Sequence, residues 1–297
     1  MVALVLIVGV ASASSAAILV RLCDAPPLVI ATYRLGISAC IVLPLAILRY
    51  RSDFISTTPR ERLTLLLSGC CLGIHFVFWI TSLFHTSVAS AVFLVCTNPI
   101  FVALGSWLFL KEKMRPVLAL GTAVALAGAG IVTLNDLESG EHGLWGDLLA
   151  LAGAASLSAY LLIGRTQRSN LRLVPYITGV YSTAATVLIL LTLAEGHPFT
   201  GYSRQTYLLF LLLALIPQIL GHGSINYALS RVSPSIIALA FLGEPIGSSV
   251  LAYFVLDEAP TLLLMAGSVV ILFGIGLATW PRTAVETPRR GVSTGRL

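Results

Sequence analysis

The sequence predicts an all-α integral membrane protein of ten transmembrane helices, arranged as two inverted five-helix repeats. Three observations lead there. Hydrophobic residues make up 57% of the chain and charged residues only 10%, with a mean hydropathy of +0.94, whereas soluble chains carry about 25% charge. The apolar residues gather into ten runs, 2–20, 28–48, 63–84, 88–110, 117–134, 144–163, 173–194, 207–229, 236–256 and 262–280. Each is close to the ~20 residues a helix needs to span a hydrocarbon core. Finally, the second half of the chain repeats landmarks of the first.

The repeat is read from residues with rigid roles. At an offset of 146, Pro99 matches Pro245, Glu112 matches Glu258, and Gly121, Gly128 and Gly130 match Gly267, Gly274 and Gly276. At an offset of 144, Gly9, Ser12, Ser14 and Arg21 match Gly153, Ser156, Ser158 and Arg165. Five spans per half is an odd number, so the halves have opposite orientations, the arrangement common in secondary transporters. The boundaries are residues 1–134 for the first repeat, 135–143 for an outer linker, 144–280 for the second repeat and 281–297 for a cytoplasmic tail.

Charge sets the orientation. Fifteen of the 18 basic residues, from Arg49 through Arg296, lie on the side of the N-terminus, and Arg21 and Arg204 lie opposite. The positive-inside rule places both termini in the cytoplasm of a plasma-membrane protein. This asymmetry accounts for the net charge of +5 without a nucleic-acid partner. The five cysteines show no metal-ligand spacing, and neither a metal nor a cofactor is expected. No Ser/His/Asp set, HExxH or glycine-rich phosphate loop is present, so an enzyme is not expected either.

In chain order, the first span is a mature helix, not a signal peptide, because it lacks a basic leader and aligns with the sixth. The second carries Arg34, about 9 Å below its outer end. From there an arginine reaches water by snorkelling, or it clamps an anionic group such as a substrate carboxylate. The third opens at Thr58-Pro59 with a cap signature and sets Cys71, His75 and Trp79 on one face. The fourth and ninth each contain a polar residue followed by proline, Asn98-Pro99 and Glu244-Pro245. Each proline frees a carbonyl, of Val95 and Phe241, and marks a kink or a paired hinge. The fifth and tenth are rich in small residues and read as scaffold or as the surface of a homodimer. The seventh offers only scattered Thr and Ser, with Pro175 as a starting residue. The eighth carries Gln218, His222 and Asn226 at strict i, i+4 steps, a stripe that does not face lipid.

Together, the segment Trp79-Ile-Thr-Ser-Leu-Phe-His-Thr-Ser and the patterns Asn98-Pro99…Leu110-Lys-Glu112 and Glu244-Pro245…Leu256-Asp-Glu258 resemble the EamA-type transporters of the drug/metabolite transporter superfamily. The resemblance implies helices 1, 3, 4, 6, 8 and 9 around a central cavity, and a small-molecule substrate, an exported amino acid or related compound; a carrier of drugs or sugar nucleotides is the alternative and, from a different class, an integral-membrane enzyme. It also departs from the small multidrug relatives, since the first helix offers Ser12, Ser14 and Ser15 where those keep a glutamate.

The expected site comprises Glu244, His222, Asn226, Gln218, His75, Trp79, Asn98, Ser12, Tyr160 and Arg34, with Pro99 and Pro245 as hinges. For Ser12 and Tyr160, close packing is the competing reading. Glu244 is the sharpest member, because a mid-membrane carboxylate costs roughly 2.5–3.5 kcal/mol. Two readings stand for it: a pair with His222, which lies at nearly the same depth on the neighbouring helix, or a neutral group that ties down the kink.

Overall fold

The computed structural model describes residues 2–110, 116–137, 141–168, 171–231 and 243–278. Expectations for Glu112, Phe241 and the tail lie outside them. The described chain is helical: α1 Val2–Ser14, α2 Ala16–Arg21, α3 Pro27–Arg49, α4 Arg51–Ile55, α5 Pro59–Ser82, α6 Val88–Val95, α7 Asn98–Leu110, α8 Pro116–Leu137, α9 Glu141–Gln167, α10 Leu173–Ala194, α11 Arg204–Leu213, α12 Gly223–Ala228, α13 Gly243–Leu256 and α14 Leu262–Ala278. A π-helical segment, Ala214–His222, joins α11 to α12.

Among the described residues, six helices are long and apolar enough to cross a membrane: Val2–Arg21, Pro27–Arg49, Pro59–Ser82, Gly143–Arg165, Leu173–Ala194 and Arg204–Ala228. The remaining runs of the sequence correspond to α6–α7, α8, α13 and α14. The outward faces of the helices are greasy; Leu48, Phe254 and Leu262 are 82%, 75% and 81% exposed. Apolar surface on that scale is stable against lipid and not against water.

Local sequence explains the breaks. At Ser15 the hydroxyl bonds back to the Ser12 carbonyl (2.8 Å), separating α1 from α2 within one span. At Cys96-Thr97 the fourth span divides into α6 and α7, because Pro99 has no N–H with which to continue the ladder. The Thr97 hydroxyl caps the Leu94 carbonyl at 2.6 Å, and the Ser158 hydroxyl takes the Asn98 carbonyl at 2.9 Å. Pro217 does the same inside the eighth span. There the chain widens into the π segment, a common response to a missing donor. The third span opens with the expected cap: the Thr58 hydroxyl accepts from Glu61 N–H, and Glu61 accepts from Thr58 N–H.

The core is built from α3, α5, α9 and α10, with α5 lying between α9 and α10 and α10 against α3. On the other flank α1 packs on the π segment, α12 and α13, while α6 and α7 cover α9 and α13 meets α6. α8 and α14 form their own pair. Their small residues face each other: a Cβ at Gly128 would lie 2.6 Å from Ile271 N, and one at Gly274 would lie 2.4 Å from Ala125 N. Gly128 and Gly274 therefore serve as scaffold inside the chain, while a Cβ at Gly130 or Gly276 would meet nothing within 4 Å.

Candidate substrate site

The polar side chains of the apolar bundle converge on Arg34. Arg34 is 1% exposed, so it does not snorkel. Its Nε donates to Gln218 Oε1 at 2.9 Å, and its guanidinium carbon stands 4.2 Å from the centre of the Phe76 ring and 5.7 Å from that of Trp79. An amide oxygen and two aromatic faces supply inside the protein what the charge would otherwise seek at the surface. Ser38, one turn on, bonds the Arg34 carbonyl (2.7 Å) and the Ala214 carbonyl (3.2 Å), which holds α3 against the start of the π segment.

Gln218 is fully buried and is held by its backbone, whose carbonyl accepts from the Tyr181 hydroxyl at 3.4 Å. The π winding changes the expected stripe, since Gln218 and His222 now flank a wider turn. His222 lies against Phe76 (ring centroids 5.4 Å apart) and near His75 (6.4 Å). His75 donates from Nδ1 to the Gly153 carbonyl at 2.9 Å and stacks over Trp79 at 6.2 Å. The predicted His75–Trp79 face thus forms, and it faces the polar cluster.

Several of these groups lack partners. Arg34 Nη1, Trp79 Nε1, Gln218 Nε2 and His222 Nδ1 are buried without a hydrogen bond. A buried polar atom left without a hydrogen bond costs about 1–3 kcal/mol, and four such atoms lie in this neighbourhood.

Glu244 sits in the first turn of α13. No hydrogen bond or ion pair joins it to His222. Nor does Arg34 touch Glu244: among the described residues the ion pairs are Arg21–Glu258, Arg172–Asp53 and His197–Glu195.

Other predicted members are engaged in the framework. The Tyr160 hydroxyl donates to Asn226 Oδ1 at 2.7 Å, and Asn226 Nδ2 donates to the His222 carbonyl at 2.8 Å. Ser12 is buried in α1, but it is Ser14 that reaches the ninth span, donating to the Glu244 carbonyl at 3.3 Å; Ser248 returns a bond to the Ser14 carbonyl at 3.0 Å. Asn98 borders a separate pocket through Ser158. This pocket of about 730 Å³ is apolar and lined chiefly by Phe101, Leu104 and Leu108 of α7 and Ala155, Ser158 and Leu162 of α9.

Sequence reasoning missed Phe76, Tyr181, Ser14 and Pro217. Pro217 and the Arg34/Ser38 spacing were the available signals. Tyr181 sits fully buried in a span with no expected polar role.

The pattern that defines the EamA-like transporter family matches residues 1–134 and 144–280. The chain belongs to the EamA-like transporter family. A transporter of Clostridium kluyveri, itself uncharacterized, is 24% identical over 250 residues, covering 80% of this chain and 78% of that protein. A probable terminal-alkyne amino-acid exporter of Streptantibioticus cattleyicolor is 26% identical over 219 residues, covering 71% and 70%. A crystal structure with 19% identity superposes with a TM-score of 0.68 over 94% of this chain and 96% of the other, a likeness of fold alone. This EamA-family protein is a multi-pass membrane transporter, not an enzyme.

Proposed function

We propose that the protein is a secondary transporter of the plasma membrane that exports amino acids or related amphipathic metabolites. Its mechanism is alternating access through a central cavity between two inverted repeats of five spans, residues 1–134 and 144–280. Both termini face the cytoplasm, residues 135–143 form an outer linker and residues 281–297 a cytoplasmic tail. Pro99 and Pro245 are the paired bending points.

The observation that carries this reading is the cluster of unpartnered polar atoms on Arg34, Trp79, Gln218 and His222, drawn from spans of both halves and sealed in apolar helices. Charged and amide groups at such depth mark a substrate path. The packing supports two related halves. Exchanging each span with its counterpart five later turns the third-on-sixth contact into the eighth-on-first, and the fourth-on-sixth into the ninth-on-first; all four occur. Second-on-seventh, fourth-on-ninth and fifth-on-tenth map onto themselves.

Reconstituted protein should move amino acids across liposomes when tested against a metabolite panel, with and without a proton gradient. No transport of any panel member would overturn the reading. Cysteines placed at Ser56 and Ser139 should label from opposite sides, and labelling of both from outside intact cells would sink the topology. Pro245→Ala should keep substrate binding and slow transport; an unchanged rate would reduce the proline to packing.

A further inference from the structure

The unpartnered atoms around Arg34 share one chemical property. Arg34 Nη1, Gln218 Nε2 and Trp79 Nε1 are all donors, and the three side chains are 1%, 0% and 4% exposed. Three buried donors with no acceptor, one of them cationic, describe the negative of an oxyanion. The orientation is fixed from behind: Arg34 Nε is already spent on Gln218 Oε1, so Nη1 and Nε2 remain on side chains locked to each other. The guanidinium is also clamped over Phe76 at 4.2 Å. Such preorganisation lowers the ordering cost of binding.

One cation among the three donors suits an oxyanion of single charge, such as a carboxylate, better than a dianion such as a phosphate monoester.

We propose that Arg34, Gln218 and Trp79 form a carboxylate clamp. The site then takes a substrate with an apolar body, and the free carboxylate is obligatory. This proposal rests on the transport reading above and extends it to the atoms that recognise the substrate.

The test uses the full chain in liposomes and two probes with one apolar body: leucine, and leucinamide, which lacks the carboxylate. Leucine should be transported, and leucinamide should compete at least tenfold more weakly. Arg34→Gln should abolish the preference for leucine over leucinamide. Trp79→Phe, which keeps a ring and deletes only the N–H, should weaken leucine binding about fivefold to tenfold and leave leucinamide unchanged. It serves where the Arg34 variant fails to fold. Leucinamide competing as well as leucine in the unmodified protein would overturn the clamp while leaving the transport reading intact. A preference for leucine that survives Arg34→Gln, or equal effects of Trp79→Phe on the two probes, would overturn it as well. If neither probe is moved, both proposals fall.

Discussion

The end of the bundle at Arg21 and the end at Arg165 carry matching residues but are bonded differently. At the first end, Arg21 donates to the Leu83 carbonyl and pairs with Glu258 Oε1 at 3.2 Å, while Glu258 Oε2 accepts from Val88 N–H at 2.9 Å. One carboxylate thereby draws together the end of α2, the turn after α5, the start of α6 and the end of α13, elements from both halves. At the second end Arg165 is exposed, and the bracing falls to Arg168. It donates to the carbonyls of Asn226 (3.0 Å) and Leu171 and to the Ser230 hydroxyl (3.4 Å), all within the second half. Burial holds the Arg168 pKa below its ordinary value. The Arg172–Asp53 pair crosses the halves there, but at 3.7 Å and with Arg172 72% exposed it contributes little. Under the proposed alternating access, a bond across the halves must break when they rock apart, and a bond inside one half travels with it. On that reading the Arg21 end is the closed one here, and the Arg165 end is only stiffened.

The largest effect is expected from unfastening the first end. Hydrogen bonds to charged groups contribute about 1.5–3 kcal/mol each, so Glu258→Gln should shift the balance of states roughly tenfold or more toward opening there. Faster modification of a cysteine at Leu22, together with slowed transport, would register it, and the exchange Arg21→Glu with Glu258→Arg should restore part of the loss. Unaltered labelling would deny the pair its closing role. Arg168→Ala should act otherwise, leaving the Asn226 and Leu171 carbonyls without their donor. A loss of about 1–3 kcal/mol should lower the melting temperature by several degrees, while labelling at Leu22 stays as before. Labelling that shifts as much as with Glu258→Gln would erase the distinction between the ends. Tyr160→Phe removes one bond of the same bracing and should cost about 1 kcal/mol, or roughly 2–4 °C.

The smallest effect belongs to the cap of α5, at the exposed start of the helix ahead of the apolar run that begins at Leu63. There the Thr58 N–H and hydroxyl bond the Glu61 carboxylate and hold its pKa below the usual range. A group with a depressed native pKa stabilises above its unfolded value, and that contribution fades as pH falls through the native one. A small drop in melting temperature on acidification should therefore vanish in Glu61→Gln; a drop of equal size in both would assign it elsewhere.

The helices and the cap were legible because each rests on a local rule: run length, or Thr-Pro-x-Glu. The stripe Gln218/His222/Asn226 was legible as buried but not as divided. Asn226 is consumed by Tyr160, and Gln218 and His222 are turned by a π segment whose cause, Pro217, is a single residue in an otherwise helical pattern. The snorkelling reading of Arg34 failed because depth was estimated from its backbone alone. A long side chain has about the same reach inward as outward, and which way it goes depends on partners such as Gln218 and Phe76 that arrive from distant spans. The His222–Glu244 expectation failed for the same reason: matched depth on neighbouring helices does not fix which faces meet.

Arg34 places one positive charge in the apolar interior of the bundle. A zwitterion held by the proposed clamp adds nothing to that charge, so the loaded and the empty site would carry the same net charge. A membrane potential performs about 2.3 kcal/mol of work per elementary charge per 100 mV, and it would act equally on both. Substrate movement would then follow its own concentration ratio in either direction, and a cell holding a surplus inside would need no further source of work to discharge it.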